Sequence, residues 1–279
     1  MQKTLKPLTP PASTYIHYRV GMQKLIKAMV RDYASLLGLY RDKRHQVAMD
    51  DNAWFSTEVQ ARLHRLGTDW QRRFNEYAES AAPDFVQLLL KQTDLQLKMS
   101  LSSIFATERF TLFGTPIPQA LKQILKINVQ ENVELIKSIP RRFHRRIQTD
   151  LTNVVNGSGT FRDLQKTIAH SGGITMREAK VIAKDQTNKV FNAIAIRRME
   201  QVGVTKVKWL HSGAVKTPRP YHIRKWDGKS GTKDMHPNGL NGFVFNINER
   251  PVINEKTGDT GLPGEEINCS CKIVPVMEI

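Results

Sequence analysis

The residues able to do chemistry stand in a fixed order near the carboxy end of this 279-residue chain. His211, Arg219, His222, Asp227 and Gly228 come first, and Asn268, Cys269 and Cys271 follow in the run L-P-G-E-E-I-N-C-S-C-K. An imidazole and two thiols are three donors for a tetrahedral zinc ion, with His211, Asp227 or His236 as a fourth. Against that, C-x-C is tighter than the usual C-x-x-C, and Cys269 and Cys271 are the whole thiol inventory. The expectation is therefore no metal and no cofactor: His222 and Asp227 form a hydrogen-bonded brace, and the thiols pack as small apolar groups. Two cysteines one residue apart cannot staple a fold. On an extended segment they point to one face, and they suit a reducing compartment. The enzymatic alternative is a metal-dependent nuclease or other DNA-processing enzyme, built on His211, His222, His236 and Asn238 beside the Asp227-Gly228 pair. The sequence has no G-x-S-x-G elbow, H-E-x-x-H helix or phosphate-cradling glycine loop. The reading is a non-enzymatic chain with no catalytic residue.

Lys plus Arg number 42 against 26 for Asp plus Glu, a net charge of +16. Such an excess favours a polyanionic neighbour, nucleic acid above all. One cluster, Lys137 to Gln148, holds Lys137, Arg141, Arg142, Arg145 and Arg146 with no acid among them. On a helix, Arg141/Arg145 and Arg142/Arg146 stack like charges at a cost of about a few tenths of a kcal/mol per pair, which a polyanion would relieve. The second cluster comprises Lys206, Lys208, Lys216, Arg219, Arg224, Lys225, Lys229 and Lys233, with Asp227 the lone acid between them. Tyr221 and Trp226 are interleaved and read as core aromatics of a small domain rather than as stacking platforms. Neither cluster has the spacing of a zinc finger, basic zipper or RNA-recognition motif. Contact is therefore expected to go to phosphate, without sequence specificity and with strong salt dependence.

The elements that must position these residues change character along the chain. With 40% hydrophobic and 24% charged residues the composition is globular. No apolar run approaches the roughly 18 residues of a membrane span. MQKTLKPLTPPAS has no apolar core of a secretory signal. From Pro11 to about Ser158 the pattern is helical, opening on a stripe of Ile16, Val20, Leu25, Met29, Tyr33, Leu36 and Leu37. A second helix is expected over Ser56 to Ser80 and a third after Pro83, followed by a break at F-G-T-P-I-P. A helix from Gln119 to near Val155 should be kinked or split at Pro140. After the turn N-G-S-G-T, a short helix over Phe161–His170 should stop at Ser171-Gly172-Gly173. Thr175 and Glu178 read as a capping box opening a helix from Met176 to Gln201. Strands are expected at 206–210, 242–247 and 271–277, where β-branched and aromatic residues concentrate. The fold class is α+β: a helical arm over residues 1–155, then a small, mixed, loop-rich domain over 156–279.

The order W-L-H-S-G, P-R-P-Y-H, W-D-G-K and finally P-G-E-E-I-N-C-S-C resembles the phage head morphogenesis family, the Mu F-like minor head proteins. The helix before it, running into G-V-T-K-V-K-W-L, is similar to the family's as well. Many relatives carry a C-x-x-C pair before the histidine, where this chain reads T-P-R-P-Y-H, and an arginine where it has Ser270. The resemblance covers roughly Leu135 to Val276 and gives His222, Asp227, Gly228, Asn268, Cys269 and Cys271 as the structural motif. It implies a virion protein, made in the host cytoplasm and sited inside the head near the portal vertex. Its partners would be the portal protein, packaged double-stranded DNA and the major capsid or scaffold protein, with no membrane. Some family members carry a toxin or transferase domain after this segment, which is not expected here.

Overall fold

The computed structural model describes residues 2–43, 52–102, 117–155, 158, 161–213, 219–223, 239–254 and 256–278. In chain order the elements are β1 (Gln2–Thr4), α1 (Ala12–Lys43), α2 (Asn52–Leu101), α3 (Gln119–Val155), α4 (Phe161–Gln201), β2 (Lys206–Leu210), α5 (Pro220–Ile223), β3 (Val244–Asn246), β4 (Val252–Asn254), β5 (Asp259–Thr260) and β6 (Lys272–Glu278). The fold class is α+β, as the sequence indicates. None of the described helices is long and apolar enough to cross a membrane.

Two compact units form from non-contiguous segments: residues 16–84 with 129–183, and residues 1–15 with 85–128 and 184–279. The first is a helical packing. On α1 the buried line is Tyr18, Met22, Ile26, Met29 and Tyr33, at steps of three and four, while Ile16 is 47% exposed. The stripe therefore lies to one side of the one expected from Ile16, Val20 and Leu25. From α3 the same core receives Ile136, Ile139, Phe143 and Ile147. Tyr33 meets Phe143 edge to face, with centroids 5.0 Å apart.

Three expected helix breaks are absent, each for a physical reason. Pro83 lies inside α2. Buried Ala78, Ala82, Phe85 and Leu89 keep an apolar stripe running past it, with the alanines favouring helix before it and the leucines after it. Pro140 lies inside α3, where a proline removes the bond to the carbonyl four residues back. Side chains serve the carbonyls beside that gap: Gln71 Nε2 donates to Lys137 O at 3.1 Å, and Ser138 Oγ to Leu135 O at 2.6 Å. Ser171-Gly172-Gly173 is helical, not a stop. A Cβ on Gly172 would come within 2.9 Å of Val30 Cγ2, so the glycine permits close approach of α1 and α4. Thr175, likewise, is no cap; its hydroxyl donates to Ser171 O at 2.7 Å within the helix.

The second unit carries a four-stranded antiparallel sheet in the order β1-β6-β2-β3. Val207 pairs with Pro275 and Phe245, and Trp209 pairs with Ile273. Val207, Trp209, Phe245 and Ile273 are buried on one face, as the two-residue period requires. β1 was not expected from the sequence. Its register, Thr4 on Val276, is extended by Leu5 N donating to Pro275 O at 3.0 Å. Pro275 thus turns its carbonyl, and with it its donor-less nitrogen, toward the edge strand, leaving the central β2–β6 ladder intact.

In the same unit, Arg198 of α4 holds Asp94 of α2 through Nε–Oδ1 at 2.8 Å and Nη2–Oδ2 at 2.9 Å, with both side chains almost wholly buried. Burial raises the Asp94 pKa, and Arg198 opposes that. Removing the guanidinium leaves a buried carboxylate alone. Arg198→Met is therefore expected to cost about 3–5 kcal/mol at neutral pH in denaturant unfolding. An acid with a raised folded-state pKa gives stability at low pH that is lost as pH rises through that pKa. The variant should accordingly recover part of its loss on acidification from pH 7 to 5. A loss of the same size at both pH values would contradict this.

Candidate functional site

One polar stripe of α4 sets the geometry. Asp185, Asn188 and Asn192 are spaced i, i+3, i+7, so they share a helix face. Their three side chains address a loop that has no ladder of its own. Asp185 Oδ1 accepts the Asn268 N–H at 3.2 Å, while its other oxygen pairs with Lys189 Nζ at 3.1 Å. Asn188 Nδ2 donates to Cys269 O at 2.6 Å, and Asn192 Nδ2 to Pro263 O at 2.6 Å. All three side chains are buried, so these bonds replace the pairing a strand would otherwise supply.

The loop's own residues suit that docking. Gly264 has φ 82°, and a Cβ there would stand 2.2 Å from Asn192 Nδ2; both facts demand glycine. Asn268 has φ 61°, a left-handed conformation that asparagine tolerates better than most side chains. The Cys269 N–H then reaches Glu266 O at 2.9 Å. Glu266 to Cys269 therefore forms a turn, and both cysteines are buried.

They meet His222. The short α5 holds it, with His222 N–H on Arg219 O at 3.0 Å and Leu240 N–H on Tyr221 O at 2.8 Å. The ring stands edge-on to Trp209, centroids 5.1 Å apart. Nδ1 lies 3.7 Å from Cys269 Sγ and 3.6 Å from Cys271 Sγ. Nε2 lies 3.0 Å from Glu266 Oε2, and Arg219 Nε lies 3.2 Å from that oxygen. The carboxylate assigns the ring proton to Nε2, leaving the Nδ1 lone pair toward the sulfurs. His222, Cys269 and Cys271 are all buried, and both cysteines are free thiols. The Cys269 thiol is pulled below its ordinary pKa, chiefly by a hydrogen bond from Cys271; that bond, with burial, pushes Cys271 up.

The other expected residues divide. Asp227 and Gly228 lie outside the described residues, and so does the His222–Asp227 brace; so too do Lys216, Arg224, Lys225, Lys229, Lys233, Trp226, His236 and Asn238. Arg219 turns to the closing loop, donating to Ile267 O at 3.2 Å. Lys206 and Lys208 share a sheet face with Lys272, which pairs with Leu210 across the ladder; Lys206 reaches Glu278 at 2.5 Å. His211 Nδ1 accepts from the Gly213 N–H at 3.2 Å, a local turn apart from the His222 cluster. In the first cluster, Glu178 supplies the counter-charge: it pairs with Arg146, and with Arg142 at 3.4 Å. Lys137 pairs with Glu79 at 2.7 Å and Arg141 with Glu134 at 3.6 Å. Arg145 is exposed. The stacked pair Arg142/Arg146 thus has relief inside the fold.

Sequence reading did not single out Asp185, Asn188, Asn192 or Glu266. The signal was there for the first three: polar residues spaced at i, i+3, i+7 along a helix whose next residues, Val190, Phe191 and Ile194, are core.

Residues 145–274 match the family model described as Phage Mu protein F like protein. The match covers just under half of the chain and includes the motif order His222, Asn268, Cys269 and Cys271. The chain is also 23% identical over 277 residues to an uncharacterized protein of Haemophilus influenzae, covering 99% of this chain and 56% of that protein. It spans little more than half that relative's length. No solved structure matches.

Gly264→Ala should cost at least about 1–2 kcal/mol from its φ alone, and more from the clash with Asn192. In an Asn192→Ala background the steric part should vanish, leaving a smaller Gly264→Ala increment in denaturant unfolding. Equal increments in both backgrounds would contradict the docking geometry.

Proposed function

We propose, from the Mu F-like segment at residues 145–274, that the chain is a non-enzymatic minor head protein of a tailed phage. In this reading it sits inside the head at the portal vertex, and acts in head assembly and in the packaging or delivery of DNA. The family match carries the proposal, and the site's geometry supports it. The polar side chains of the site are committed: buried Asn188 and Asn192 to backbone carbonyls, and half-buried Glu266 to His222 and Arg219. That is the arrangement of a fastened scaffold.

The helical residues 1–155 would dock on the portal protein, with the major capsid or scaffold protein as a further neighbour. Residues 156–279 would form the Mu F-like domain and present charge to the packaged double-stranded DNA. Lys206 and Lys208, on one sheet face with Lys272, are the described part of that surface. With a net charge of +16, contact would be to phosphate, without sequence preference.

Quantitative mass spectrometry of purified proheads and mature particles should find the chain in both, at a copy number far below the major capsid protein. Absence from both would overturn the proposal. DNA contact is tested separately by salt titration. Apparent affinity should fall linearly on logarithmic axes, and Lys206→Gln with Lys208→Gln should reduce the slope by about two. Binding equal at low and high salt would remove the electrostatic contact.

A further inference from the structure

The thiol–imidazole cluster was expected to be apolar packing, yet its geometry is that of a ligand set. The donor atoms of His222, Cys269 and Cys271 all lie within 4.8 Å of one another, and all three residues are buried. A tetrahedral zinc ion with bonds of about 2.3 Å to sulfur and about 2.1 Å to nitrogen spans sulfur–nitrogen edges of about 3.6 Å. The observed edges are 3.7 and 3.6 Å. We infer that His222 Nδ1, Cys269 Sγ and Cys271 Sγ bind a zinc ion, which ties α5 to the closing loop through three protein ligands and leaves one position for a further donor.

The surroundings carry the inference further than the donors alone. A ligating histidine commonly gives its second ring N–H to a carboxylate, which fixes the tautomer and strengthens the ligand. Glu266 Oε2 stands in that place, 3.0 Å from Nε2, and Arg219 Nε holds the same oxygen at 3.2 Å. Asn188 fixes the Cys269 carbonyl, and Asp185 with the left-handed Asn268 fixes the turn that aims both sulfurs at the ring. Thiolate and imidazole select zinc among the abundant divalent ions and leave magnesium and calcium to oxygen sites. The ion's role here is to close a loop that has no ladder. Binding it would release the thiol protons and couple folding to metal.

The test uses the full chain, purified without chelator, exposed to zinc and desalted. Elemental analysis should find about one zinc per chain. Replacement by cobalt(II) should give the near-ultraviolet absorption of thiolate–cobalt charge transfer, with visible bands of a tetrahedral ion. Cys269→Ser and Cys271→Ser should each diminish that absorption and lose the stoichiometric zinc. Should a serine variant fail to fold, the wild-type cobalt spectrum decides. Glu266→Gln keeps every donor, so it should leave the cobalt spectrum unchanged while weakening zinc binding about 10–100-fold against a chromophoric chelator. A folded wild-type chain whose thiols titrate as free in excess zinc, and which shows no thiolate–cobalt absorption, would overturn the site. So would zinc retained in full by folded Cys269→Ser and Cys271→Ser. These outcomes are independent of whether the chain is found in particles.

Discussion

The polar stripe of α4 is the constraint on which the carboxy-terminal structure depends. A loop running from Leu262 to Cys271 carries ten residues' worth of backbone polar groups through a region where Cys269 and Cys271 are buried. Burying such groups unpaired would cost about 1–3 kcal/mol each. Asp185, Asn188 and Asn192 take up one donor and two acceptors at the points where the loop turns. Everything nearer the thiols follows: the loop can afford an irregular path because a rigid helix holds it, and that path brings two sulfurs to one imidazole.

Charge that looks outward in the sequence is partly neutralised within the fold. Glu178 stands 32 residues or more from Arg142 and Arg146 in sequence but pairs with both. Arg198 is among the most deeply buried charges and exists as a two-point partner of Asp94. Arg219 turns inward to Glu266 and Ile267. Such pairs, once buried, are costly to break from one side. The net charge of +16 remains, and Arg145 is among the exposed cations of the described residues.

What the sequence made legible was whatever depends on local chemistry. The run K-V-K-W-L has a two-residue period and forms β2 at the expected residues, and the long amphipathic segments are helices. The order of His222, Asn268, Cys269 and Cys271 was visible. What was not legible depends on distant partners. Pro140 lies within a helix whose buried stripe, Ile136, Ile139, Phe143 and Ile147, runs past it. Gly172 is a contact surface for Val30 and not a terminator. Gln2–Thr4 is a strand because β6 offers an edge, not because its residues favour one. Glu266 reads as a surface acid until the fold sets it against His222.

Helix α4, not any strand pairing, orders the closing loop. Native-state hydrogen exchange at the Asn268 and Cys269 amides measures this most directly. These amides are expected to be protected like that of Trp209, which lies in the β2 ladder, and Asp185→Ala should release Asn268 while leaving Trp209 slow. Exchange of both loop amides at open-chain rates, with Trp209 still protected, would contradict the account.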